Sequence, residues 1–220
     1  MTDPIRIYLE SAPRKVFACS IEWPGWCRSG KDETVAIEAL RAAAERYRAV
    51  TSVAGVAFPT GAATADVEIV ERLEGGGGTA FGVPSLVAEA DRHAVSQKEA
   101  ARLGTLVEAA WTVFDGVVAD APAQLRKGPR GGGRDRDRIV EHVVGADHGY
   151  AREIGVKLPA PDPLDREAVA RLRSAMLEVL CQPTDGSPLA GRRWTLPYAA
   201  RRIAWHALDH AWEIEDRTES

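Results

Sequence analysis

Two histidines, His206 and His210, stand four residues apart in the run Ile203-Ala-Trp-His-Ala-Leu-Asp-His-Ala-Trp-Glu-Ile214. The run has no Gly or Pro and reads as part of a helix from about Leu196 to Arg217. At ~100° per residue, a spacing of four puts both imidazoles on one face, one turn apart. Such a pair can chelate a divalent metal from a rigid element. Catalytic-type sites usually take three protein ligands and leave a position for water or substrate, so a third ligand must come from elsewhere.

The chain has three other histidines, His93, His142 and His148. His93 falls in a Gly-rich stretch, while the other two share a helix. On that helix Ile139, Val143, Ala146, Tyr150 and Ile154 form an apolar stripe, the face expected to meet the core. His142 lies about 80° from the centre of the stripe and His148 about 160° away, so His142 looks inward and His148 outward. On the last helix Ile203, Ala207 and Ile214 mark the inward stripe, with His206 and His210 in or beside it. His142, His206 and His210 are therefore the candidate metal ligands. The competing reading makes them core histidines with ordinary hydrogen-bond partners. Glu213, one turn beyond His210, is the candidate catalytic carboxylate: it can act as a base or fix the tautomer of a ligating imidazole. Asp209 points further round and reads as solvated.

The elements that position these residues fall into two halves. Ile5 to Glu10 and Val16 to Ile21 alternate at the strand period, joined by a turn at Ser11-Ala-Pro-Arg14. Trp23 to Gly30 is a loop punctuated by Pro and Gly. Asp32 caps a helix running to about Val50, and Val67 to Leu73 is a third strand. These predict a small β-β-α-β domain over 1–74. Four consecutive glycines, Gly75 to Gly78, open a linker over 75–95. Residues 96–220 then read as four helices. Ser96 and Glu99 form a capping box for the first, which runs to about Ala119. Arg134 to Gly155 is the second, the third runs from Asp165 to near Cys181, and the fourth is the histidine helix. Four helices of comparable length predict an up-down four-helix bundle, and the fold class is α+β.

The basic loop Lys127-Gly-Pro-Arg-Gly-Gly-Gly-Arg134 leads into the second helix. Backbone N–H groups and the helix dipole at such a junction favour anions, and Lys127, Arg130 and Arg134 are the candidate cofactor-binding side chains. The competing reading is a flexible basic connection. Trp205 and Trp212 lie opposite the histidine face. An exposed double-Trp stripe is unusual, so it should pack against the N-terminal part or against a second subunit in a homodimer. Cys27 reads as structural rather than reactive.

Apolar residues make up 45% of the chain and charged residues 27%, as in ordinary globular proteins. A net charge of −4 argues against nucleic-acid binding. No apolar run is long enough for a membrane span, and the N-terminus lacks the pattern of a secretory signal. Three scattered cysteines point to reduced thiols and a cytoplasmic location.

The helical half resembles the DinB/YfiT-like superfamily of metal-binding four-helix bundles. The resemblance rests on Asp137-Arg-Ile-Val-Glu-His142-Val, similar to that family's second-helix histidine segment, and on His206-Ala-Leu-Asp-His210, similar to its HxxxH near the C-terminus. It implies one metal, commonly zinc or nickel, held by three histidines. It also implies transfer or isomerisation of a small-molecule substrate with a low-molecular-weight thiol such as mycothiol or bacillithiol. The chain departs from the family in its N-terminal domain and in carrying Arg134-Asp135 where a Trp is frequent. Trp23-Pro-Gly-Trp-Cys27 followed by Ser29-Gly-Lys-Asp32 resembles the HicB-like antitoxin fold, though neither a helix-turn-helix nor a ribbon arm accompanies it. The sequence thus points to a metal-dependent, thiol-using enzyme. The alternative is a non-catalytic interaction or scaffold protein whose HicB-like domain binds a partner.

Overall fold

The alternating segments near the N-terminus form β1 (Ile5–Ala12) and β2 (Lys15–Ser20), paired antiparallel about their turn. The structure, a computed structural model, describes residues 4–127 and 132–218. The stretch read as a loop contains β3 (Cys27–Gly30), antiparallel to β2 at the sheet edge. Four residues carry too few side chains to display a period. The helix expected from Asp32 to Val50 is two helices, α1 (Glu33–Ala42) and α2 (Ala44–Val53). At their junction the Leu40 carbonyl accepts from both Ala43 N and Trp26 Nε1, which tightens the turn. β4 (Val67–Glu74) then returns parallel to β1, giving a mixed sheet in the order β3-β2-β1-β4. The N-terminal order is therefore β-β-β-α-α-β rather than β-β-α-β.

Both faces of the sheet are covered. Ile5, Ile7, Leu9, Val16 and Ala18 meet α1 and α2 through a core that includes Trp26, Leu40 and Tyr47. The aromatic rings there pack at centroid distances of 5.1 Å (Trp26–Phe58) and 5.4 Å (Tyr47–Phe58). Such pairs add ~0.5–1.5 kcal/mol each beyond burial. Their polar tips are satisfied, Trp26 by the Leu40 carbonyl and Tyr47 by the Pro24 carbonyl. On the other face Tyr8 and Glu10, which alternate with that apolar set, are also buried.

The segment 75–95, read as a linker, is what buries them. It forms α3 (Gly77–Phe81) and a short 3-10 turn, Glu89–Arg92. The Glu10 carboxylate accepts from Thr79 Oγ1, Ser85 N and Leu86 N, and so ties the segment to β1. A Cβ on Gly75 would lie 2.2 Å from Thr79 Oγ1, so the glycine permits a close approach rather than flexibility.

Four long helices follow: α4 (Gln97–Asp120), α5 (Arg136–Glu153), α6 (Arg166–Leu180) and α7 (Leu196–Thr218). Ser96 and Asp165 cap α4 and α6, accepting from Glu99 N and Ala168 N. α7 packs along α4 and beside α5, and α6 lies against α4 and α5. Leu106, Ile139, Met176 and Ile203 are among the side chains sealed in their shared core.

The second apolar face of α7 is covered within the chain. Trp205 meets Phe17 edge-on at 6.2 Å, and Trp212 lies beneath the Arg28 guanidinium at 4.1 Å. Arg46 of α2 binds Glu215 and Asp216, clamping the far end of α7. Gly25, at φ +89°, lets its loop touch the same helix; a Cβ there would stand 2.6 Å from Leu208 Cδ1. These two tryptophans therefore call for no second subunit.

Candidate metal centre

α5 and α7 run side by side, and their facing stripes bring three imidazoles together. The i, i+4 spacing on α7 stacks His206 over His210, with ring centroids 4.7 Å apart. His142, two turns into α5, completes a near-equilateral triangle at 4.9 Å from each. One nitrogen of each ring lies within 4.8 Å of the others. The Nε2 atoms of His142 and His206 are 3.1 Å apart. Two nitrogens on one tetrahedral zinc at ~2.0–2.1 Å would be about 3.3 Å apart, so the observed spacing needs little adjustment to share an ion.

The hydrogen bonds behind the rings decide which nitrogens are free. His210 Nδ1 meets Glu213 Oε2 at 2.8 Å, leaving Nε2 to face the other two rings. Arg217 Nη1 donates to Glu213 Oε1 at 2.8 Å. Both carboxylate oxygens are thus engaged, and Glu213 stands behind His210 rather than beside the converging nitrogens. That arrangement suits a positioning residue that orients an imidazole. It does not suit a free base, nor a fourth ligand that would close the site.

Electrostatics favour the neutral form of His142 and His206, the form that a metal ligand takes. Burial pushes His206 down to about 2, with His210, Arg202, His142 and Arg134 pressing the same way. His142 is lowered by burial and then by His210 and Arg134, against a smaller opposing pull from Glu213. The His210 hydrogen bond, ahead of the Arg217 contact, holds Glu213 below the usual carboxylate range. His206 Nδ1 is buried with no hydrogen-bond partner, an orphan among the described residues. His206 is 6% exposed while His142 is half-buried, so the site opens to solvent along α5.

The remaining residues singled out in the sequence divide. Arg134, exposed just before α5, lies within electrostatic range of His142 and His206. Lys127 is engaged elsewhere, donating to Asp135 at 2.6 Å. Arg130 lies outside the described residues. Asp209, read as solvated, instead accepts from Arg28 at 2.9 Å and joins α7 to β3. His148 faces away from the site and its Nε2 meets the Leu158 carbonyl; His93 is exposed.

Sequence reasoning missed two neighbours. Tyr150 sets its ring edge-on to His206 at 5.6 Å, and Arg202 lies over Tyr150 at 5.3 Å and over Trp205 at 4.7 Å. The signal for Tyr150 was present: it follows His142 by eight residues and shares its side of the helix. Nothing local marks Arg202, whose role depends on α7 meeting α5. No family model, curated protein or solved structure matches the chain.

Proposed function

We propose that the chain is a divalent-metal-dependent enzyme of the DinB type, its four long helices forming an up-down bundle around a zinc or nickel site. The observation that supports this reading is the convergence of three imidazoles, one of them buried with an orphaned nitrogen. His142, His206 and His210 would hold the ion. When bound, such a metal supplies Lewis acidity and lowers the pKa of water or a thiol at its open position.

The surrounding residues have separate tasks in this reading. Glu213 fixes the His210 tautomer, and Arg217 fixes Glu213 in turn. Arg134 and Arg202 place positive charge beside the imidazoles, which favours an anionic group on the thiol or the substrate. The half-exposed side of His142 admits a small molecule. The reaction class is thiol-dependent transfer or isomerisation in a reducing, cytoplasmic setting, with the HicB-like N-terminal part supporting α7 from behind.

Elemental analysis of the untagged protein beside a His206→Ala/His210→Ala variant tests the proposal. The expected result is one equivalent of zinc or nickel in the wild type, lost in the variant, with thiol-transfer activity lost in parallel. No metal in either protein after reconstitution would overturn it.

A further inference from the structure

Behind α7, on the side away from the histidines, Tyr8, Cys19 and Cys27 form a row across three adjacent strands. Cys19 and Cys27 are direct cross-strand partners on β2 and β3, both buried, with their sulfurs 2.9 Å apart. Directly opposed residues in an antiparallel pair have Cα atoms ~4.5–5.5 Å apart. That lies inside the ~4.4–6.8 Å range that a disulfide spans, so the backbone already has the separation a bridge requires.

A cavity of about 10 Å³ lies against both thiols, lined by Tyr8, Tyr198, Arg201 and Trp205 among others. Its volume suits a water-sized polar molecule. Arg201 Nε and Nη1 and Trp205 Nε1 are buried donors without partners, and Asp91 Oδ1 is a buried acceptor without one. Arg201 is 6% exposed and fixed by an ion pair with Asp91. Two sulfurs, a very small cavity and unpaired donors around it are what reaction with a small oxygen-bearing oxidant requires.

We infer that Cys19 and Cys27 are a peroxide-sensitive dithiol that closes to a reversible intramolecular disulfide, a site separate from the histidine centre. The oxidant is hydrogen peroxide. One thiolate attacks a peroxide oxygen, the O–O bond breaks, and the released hydroxide takes up the thiol's proton to leave as water. The resulting sulfenic acid is then attacked by the second sulfur, which displaces hydroxide; that hydroxide takes the second proton and leaves as water. The balance is two thiols and one peroxide giving one disulfide and two waters. The cavity is too small for the disulfide of a low-molecular-weight thiol, so peroxide should act where such disulfides do not.

The test treats the full-length protein with hydrogen peroxide, alkylates it under denaturing conditions, and reads intact mass and a peptide map. The expected result is loss of two of the three thiols, a mass lower by two hydrogen atoms before alkylation, and a linked Cys19–Cys27 peptide. A dithiol reductant should restore all three thiols. In Cys19→Ser or Cys27→Ser, dimedone should trap a sulfenic acid on the cysteine that remains of the pair; Cys181→Ser should leave the two-thiol loss unchanged. If the cysteine variants fail to fold, the wild-type map alone decides. Three alkylatable thiols after treatment, a bridge involving Cys181, or oxidation confined to Cys181 would overturn the inference.

Discussion

α5 presents polar groups to its neighbours on two sides. His142 faces α7, while Asp147, five residues on and about 140° round the helix, faces α4 and α6. Around Asp147 every contact is complementary. Trp111 Nε1 donates to one carboxylate oxygen at 3.3 Å, Arg173 Nε to the other at 3.2 Å, and Arg173 Nη1 to Asp115 at 2.8 Å. Around His142 the contacts are redundant: three rings of the same kind turn nitrogens toward one another, no anion stands between them, and one buried nitrogen is left over. A satisfied network holds helices together and asks for nothing more. A converging, under-satisfied one has the electronic character of a ligand set. The two sides of one helix thus separate a paired polar cluster from one close enough to hold a metal ion.

The contrast can be broken most forcefully at Arg173. Replacing it by Ala leaves Asp147 buried without its cation, with an expected loss of about 3–5 kcal/mol. Chemical denaturation would measure that loss, and metal content should stay at the wild-type level. His206→Ala reverses the pattern: metal affinity should fall by at least about 100-fold, near 2.7 kcal/mol, while the denaturation midpoint of the metal-free protein changes little. If His206→Ala destabilises the metal-free protein as much as Arg173→Ala does, the distinction between the clusters fails.

Smaller effects sharpen it. Glu213→Gln keeps the shape but weakens the grip on His210 Nδ1, and metal affinity should drop by about 10–100-fold, read by competition with a chromogenic chelator. The Asp147 carboxyl is pushed up to about 6, chiefly by burial. A folded pKa above the unfolded value means that the native state holds the extra proton. Its stabilisation is complete below the unfolded pKa of about 4 and is lost as pH rises through about 6. Asp147→Asn should remove that slope, about 3 kcal/mol in all, from denaturation curves taken across the window. His142 and His206 act with the opposite sign. With depressed native pKa values they favour the fold above about pH 6.5 and weaken it below, so acid should release metal and stability together.

The histidine triad was legible because its information is local. A spacing of four fixes two ligands on one face, and the angle from an apolar stripe separates His142 from His148. The strands showed themselves wherever five or more residues alternated. What stayed hidden is pairing at long range. Nothing in the sequence marks Arg173 until α6 closes on α5, and nothing marks Glu10 until Thr79, Ser85 and Leu86 arrive from the segment expected to be a linker. Glycines misled in that segment because composition reports chain freedom, whereas Gly75 serves close packing. β3 was too short for any periodicity to register.

The position of α7 also has a consequence for how the molecule is made. Both apolar faces of this helix are buried, one against residues near the start of the chain and the other against α4 and α5. During synthesis the sheet and the earlier helices emerge first, and they wait with Phe17 and the inner face of α5 uncovered until α7 leaves the ribosome. Contacts between residues this far apart in sequence slow folding, and uncovered apolar surface invites aggregation in the interval. Two of the three clustered histidines ride on that late helix, so the cluster assembles at the moment the fold closes.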